Sequence, residues 1–273
     1  MEAFDESQTE AYYDSFSDVY EAVWNQQIHT GLFDIDKTLA QAVQDMNLFL
    51  AHEAGLAPNT KVLAVGSGRG GTDRMLAKGQ GAKVVGLDIS KKQVGVAKQR
   101  AKEAGLENRI SYTHGSMTAI PLKGGQFDYV WAQESFFHCH NKPKAVSEFS
   151  RVIKPGGLVV IEDTLLLNPD ARQEVLNTFG RRVKINNIGT PKEYTELFAE
   201  ENFDLEKSID LSADLLKTYE AIIAFITENK KKLREMLPQK YHAMLEVNFG
   251  FDESLKLTRE KKLGCYAFFF RKK

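Results

Sequence analysis

Between Val62 and Ser90 the chain reads VLAVGSGRGG, a helical stretch, and then VVGLDIS. A short apolar strand runs into a turn with glycines at 66, 68, 70 and 71, and a second apolar strand ends on Asp88. Further strand and helix patterns alternate after it, with strands expected near 61–66, 83–88, 109–113, 127–132 and 157–164. Helices are expected over about 70–79, 90–105 and 142–152. Alternation at this spacing calls for a parallel sheet covered by helices on both faces. The ligand crevice of such a sheet lies at the carboxyl ends of its strands, where the chain order reverses.

The turn itself carries chemistry. Glycine has no Cβ, so the backbone can bend tightly and approach a ligand. An acid at the tip of the next strand can accept hydrogen bonds from two ribose hydroxyls. The pair reads as a site for an adenosine-containing cofactor, and two cofactor families compete for it. Gly66, Gly68 and Gly71 fit the dinucleotide spacing, whereas Gly66, Gly68 and Gly70 fit the loop of S-adenosylmethionine enzymes. A phosphate-cradling P-loop is excluded, because no Lys-Ser or Lys-Thr closes the turn. A short-chain dehydrogenase would want a Tyr-x-x-x-Lys pair, and none of the nine tyrosines has a lysine four residues on.

Two more strings bear on the choice. FDYVWAQESFFH (Phe127 to His138) is a strand opening into a polar, aromatic loop. RVIKPGGLVVIED (Arg151 to Asp163) closes a helix and turns sharply through Lys154-Pro155-Gly156-Gly157 into a fifth apolar strand. With the element order, these strings resemble class I methyltransferases. The resemblance implies a Rossmann-like, mostly parallel α/β sheet whose last strand is antiparallel, and S-adenosylmethionine as cofactor. It also divides the chain into an N-terminal helical lid over 1–56 and a methyltransferase domain over 57–273. A helical cap is then inserted at about 165–250.

The remaining segments fit that plan. Leu39, Val43, Met46, Phe49 and Leu50 form one stripe of a helix over Ile35 to Ala54, and aromatics at Phe4, Tyr12, Tyr13, Phe16, Tyr20 and Trp24 recur at roughly helical intervals. Pro191 to Glu201 reads as helix and Phe203 to Leu211 as strand. A long helix follows to Pro238, another stretch runs from Gln239 to Val247, and Gly264 to Phe270 is the last strand. Net charge is −1, which creates no field favouring nucleic acid or an anionic membrane. No apolar run approaches the roughly twenty residues that span a bilayer. Two cysteines, Cys139 and Cys265, fit a reducing, cytoplasmic setting with no disulfide framework. His138-Cys139-His140 is set aside as a metal site, because adjacent side chains point different ways and nothing nearby completes a tetrahedron.

The resemblance also assigns residues. It implies that Gly66, Gly68 and Gly70 admit the methionine part of the cofactor beside a helix N-terminus whose dipole favours the carboxylate. Asp88 takes the ribose hydroxyls and Ile89 packs on the adenine. In HGSMTAIP (His114 to Pro121), Ser116 stands where the family commonly has an acid near the adenine amino group, and Met117 fills the apolar position. Gln133, closing strand 4, lines the cofactor. Ala64 replaces an acid usual on the first strand, which leaves a catalytically silent cofactor-binding protein as an alternative.

Within the class, YYDSFSDVYEAVWNQQIHTGLF (Tyr12 to Phe33), WAQESFFH and the ending GCYAFFFRK resemble the sarcosine/dimethylglycine N-methyltransferases. Phosphoethanolamine and tocopherol methyltransferases have related entrance segments. Asn25-Gln26-Gln27 departs from the family's glycine-rich, acidic stretch. The expected acceptor is a small amine; an O- or C-methyltransferase of a larger natural product is the alternative. His138 is the candidate base, since imidazole titrates near working pH. The resemblance pairs it with a tyrosine of the entrance segment, Tyr13 or Tyr12, and places His29 near acceptor or cofactor. Trp24, Tyr12, Tyr13, Phe136 and Phe137 are candidates for an aromatic cage around a methylated ammonium. Arg172, Arg181, Arg182 and Lys184 are candidates for pairing with an acceptor carboxylate.

Overall fold

The computed structural model describes residues 5–24, 29–34 and 37–273, without the side chains of 16–18 and 20–24. Phe4, Asn25, Gln26, Gln27 and Ile35, and the side chains of Phe16, Tyr20 and Trp24, therefore lie outside the described residues. Seven strands form one sheet: β1 Lys61–Val65, β2 Lys83–Asp88, β3 Ile110–His114, β4 Phe127–Gln133, β5 Ile153–Leu166, β6 Phe203–Asp210 and β7 Leu263–Lys272. Their order is β3-β2-β1-β4-β5-β7-β6. β1 to β5 pair in parallel, and β7 runs antiparallel between β5 and β6, with Val160 opposite Phe269. The fold is that of the class I methyltransferases. The chain order reverses between β1 and β4, so the crevice opens where β1, β2 and β4 end.

Local chemistry explains the helix starts. α1 (Glu6–Trp24) and α2 (Leu39–Glu53) precede the sheet, and Thr38 begins α2 with a capping box closed by Gln41. α3 (Gly71–Gly79) starts behind Gly70 at φ +70°, and α4 (Lys91–Glu103) is capped by Ser90, whose hydroxyl accepts from Gln93 N. α5 (Lys142–Val152) starts at Asn141 with Pro143 in its first turn. Helix Pro191–Glu200 repeats the capping box with Thr190 and Glu193. Its Phe198 stacks on Phe270 of β7 at 4.0 Å between centroids, fastening that helix to the antiparallel side of the sheet.

Two departures from the periodicity have visible causes. The long helix expected to reach Pro238 breaks into Ser212–Glu228 and Lys230–Met236. Asn229, between them, leaves helical geometry and turns both its backbone N–H and its Nδ2 onto Phe225 O. A helix over Phe251–Arg259, not anticipated from the sequence, starts behind Gly250 at φ +77° and buries Phe251, Leu255 and Leu257. It packs against Ser212–Glu228, so helices continue to within a few residues of β7. No helix among the described residues is long and apolar enough to cross a membrane.

Candidate active site

One cavity opens at the ends of β1, β2 and β4. Gly66, Gly68, Asp88, Ile89, Ser116, Met117, Gln133, Tyr13, His29 and His138 all line it. These ten residues thus meet in one place. Gly70 turns elsewhere: a Cβ there would meet the Tyr112 hydroxyl at 2.1 Å. Gly86, opposite Tyr112 in the β2–β3 register, leaves the same ring room to cross the sheet. Gly70 is therefore a packing glycine for Tyr112.

Gly66 (φ +67°) and Gly68 (φ +53°) hold backbone shapes that disfavour side chains. Gly68 N donates to Asp88 Oδ2 at 2.7 Å, and Ser90 N donates to Oδ1 at 2.8 Å. The acid thus ties the glycine turn to the tip of β2. Each carboxylate oxygen keeps a second acceptor site for an incoming hydroxyl. Burial raises the Asp88 pKa, and the two backbone N–H bonds oppose that rise. Gln133 accepts from Thr72 Oγ1 at 3.1 Å, while its Nε2 is buried without a partner among the described residues. An unmet donor beside a glycine turn is what a ligand carboxylate would satisfy.

At the other end of the cavity, Tyr13 Oη lies 2.5 Å from His138 Nε2. β4 ends in the short helical turn Phe136–His138, which aims the imidazole back at α1. Burial pushes His138 down to about 3, so it does not titrate near neutral pH as the sequence reading expected of it. It is a neutral hydrogen-bonding ring, and burial likewise keeps the Tyr13 hydroxyl protonated. His29 is also pushed down by burial, to about 4, and its Nδ1 has no partner among the described residues.

Sequence reasoning missed Glu134. It lines the cavity at φ +43°, a strained conformation for a side-chain-bearing residue. Its Oε1 accepts from Thr30 Oγ1 at 2.6 Å and from Thr30 N at 3.2 Å. Burial raises it to about 7 against those bonds and the nearby Arg182 charge. The positive φ is invisible in sequence, and Thr30 lies 104 residues away. Behind it, Cys265 Sγ donates to Glu162 Oε1 at 2.9 Å, and ligand-capable atoms of Glu134, Glu162 and Cys265 lie within 4.8 Å of one another.

The four candidate cations separate cleanly. Arg172 pairs with Glu193 at 2.6 Å, and Arg181 is exposed. Lys184 does not line the cavity, whereas Arg182 does. The Arg182 guanidinium lies over Phe251 at 4.3 Å and Phe179 at 5.2 Å, and its Nε is buried with no partner among the described residues. Of the proposed cage, Phe137 and Tyr13 line the cavity. Phe136 is fully buried against Phe149, Tyr194 and Phe198, and is core. Tyr12 packs edge-on against Tyr13.

Comparisons with known proteins point to the same class of fold. A family model described as a methyltransferase domain matches residues 63–161. The chain is 36% identical to a sterol 24-C-methyltransferase of Gibberella zeae over 59% of its own length and 42% of that protein's. It is 26% identical to the sarcosine/dimethylglycine N-methyltransferase of Halorhodospira halochloris over 96% of this chain and 94% of the other. The crystal structure of a candidate sarcosine dimethylglycine methyltransferase from Galdieria sulphuraria superposes with a TM-score of 0.85 at 26% identity, covering 94% of this chain and 98% of that one.

Proposed function

We propose that this chain, which belongs to the class I methyltransferases, uses S-adenosylmethionine to methylate a small amine carrying an anionic group, of the sarcosine or dimethylglycine kind. The observation that carries the acceptor class is Arg182. A guanidinium clamped between two aromatic rings, with a buried and unmet N–H, is prepared for an acceptor carboxylate.

The cavity residues fit the donor. Gly66 and Gly68 give backbone access, Asp88 offers acceptors for two hydroxyls, and the Gln133 amide offers an unmet donor. Ile89 and Met117 supply apolar faces for a base. When bound, the sulfonium donor supplies an electrophilic methyl carbon. The protein's part is then alignment, which can be worth about 7–11 kcal/mol.

An ammonium acceptor has no lone pair until it loses a proton. Glu134, held near 7, is the cavity group whose proton affinity suits that transfer at neutral pH. Tyr13 and His138 form a neutral pair that holds the nitrogen in line. Arg182 fixes the other end of the acceptor. The apolar wall of Phe179, Val183, Leu215, Ile222 and Phe251 favours, as a second reading, an acceptor with a hydrocarbon body methylated on oxygen or carbon.

A panel of sarcosine, dimethylglycine, glycine, ethanolamine phosphate and phenols, incubated with methyl-labelled donor, separates these readings. Label in an amino acid is the expected result. Arg182→Gln should then raise KM for that acceptor at least 10-fold and leave donor KM unchanged. Label in phenols alone would replace the amine reading with the second one.

A further inference from the structure

Past Asp88 the cavity continues between Leu87, Ile89 and Met117 to Gly115 and Ser116. This end has apolar faces and hydroxyls, and no acid from the loop after β3, since Ser116 stands there. A carboxyl group reaches it from a different element. Glu6, in the first turn of α1, lines the same end of the cavity. Ser116 Oγ donates to Glu6 Oε1 at 2.7 Å, and Thr118 Oγ1 donates to the same oxygen at 3.1 Å. Thr118 N in turn donates to Ser116 Oγ at 3.0 Å, which fixes the serine hydroxyl toward Glu6. Both donors use Oε1, so Oε2 is left to accept from something else.

α1 is placed to carry this group. Glu6, Thr9 and Tyr13 recur at helical spacing and all line the cavity, so one face of the helix runs from the Met117 end to His138. Asp14 fastens its middle by accepting from Ser90 Oγ at 2.5 Å, directly beside Asp88. The helix therefore borders the cavity with a carboxyl beside Ser116 and the Tyr13 hydroxyl beside His138.

We propose that Glu6 selects the base of the cofactor: its open carboxylate oxygen accepts a hydrogen bond from the exocyclic amino group of adenine. This rests on the S-adenosylmethionine reading above. Adenine presents an N–H donor at that position, whereas hypoxanthine presents a carbonyl oxygen, which a carboxylate repels. A hydrogen bond to a charged group supports a preference of about 10- to 150-fold. Oε1 anchors the side chain through two hydroxyls, and Oε2 reads the base.

Calorimetry on the full chain with S-adenosylhomocysteine and S-inosylhomocysteine tests this. The wild-type chain should bind the adenine compound at least 10-fold more tightly. Glu6→Gln keeps an oxygen for Ser116 and Thr118 but gains a donor for the carbonyl, so the preference should fall below 3-fold with unchanged thermal stability. Equal weakening of both compounds would mean that Glu6 only fastens α1, and would overturn the role, as would an unaltered preference. Should Glu6→Gln fail to fold, a wild-type chain that binds both compounds equally overturns it without the variant. Failure of the wild-type chain to bind either compound overturns the donor reading itself, and the Glu6 role with it.

Discussion

A Gly66→Ala chain is expected to lose more than 100-fold in cofactor affinity and to melt well below the wild type. The added Cβ would lie 2.4 Å from Ser135 Cβ and 3.0 Å from its Oγ. Ser135 has nowhere to retreat, because its hydroxyl is bonded to Val65 O at 2.8 Å. The turn has no slack either, since Gly66 N and Ser67 N both donate to Leu87 O. Left-handed backbone at a residue with a Cβ costs about 1–2 kcal/mol, and overpacking about 1–3 kcal/mol more. For a chain of this size each kcal/mol lowers Tm by about 2–4 °C, so a fall of about 4–20 °C follows. Gly68→Ala separates the two causes. Its Cβ would meet nothing within 4 Å, so that variant should lose affinity with a much smaller change in Tm. Equal melting losses for the two would contradict this account of the turn.

His138→Ala should lower turnover by about 10²-fold, because it frees the Tyr13 hydroxyl that aligns the acceptor. Its affinity for S-adenosylhomocysteine should stay within 3-fold of wild type, because His138 faces Tyr13 and not the glycine turn. The pH profile distinguishes it from Glu134. Held near 3, His138 is neutral throughout the working range and contributes no inflection there. Glu134 is protonated below about 7 and ionised above it, so turnover should rise as pH passes through that value. The rise should persist in His138→Ala at reduced amplitude and vanish in Glu134→Gln. Undiminished turnover in His138→Ala would remove the histidine from the mechanism, and a rise persisting in Glu134→Gln would remove the acid.

Much of the sheet was legible because buried parallel strands read as apolar runs punctuated by turn residues. VLAV, VVGLD and LVVIED stand out for that reason, and the helix from Pro191 is read without any tertiary information. The direction of β7 was not legible from its pattern, since a two-residue period is the same read either way. It followed from resemblance. Glycine spacing found the turn but did not separate Gly66 and Gly68, which face the cavity, from Gly70, which makes room for a tyrosine two strands away. Aromatic content suggested a cage, yet Phe136 belongs to the core and the cap rings Phe179 and Phe251 hold Arg182. Glu134, Glu6 and the choice of Arg182 over its neighbours depend on contacts between distant segments, which no local pattern encodes.

We read the turn at Gly66–Gly68, tied to Asp88, as the seat of a sulfonium-bearing nucleoside. Titration calorimetry with S-adenosylhomocysteine and, separately, with NAD tests it most directly. Saturable heat with the first and none with the second is the predicted result. Clear binding of NAD together with silence toward S-adenosylhomocysteine would contradict it.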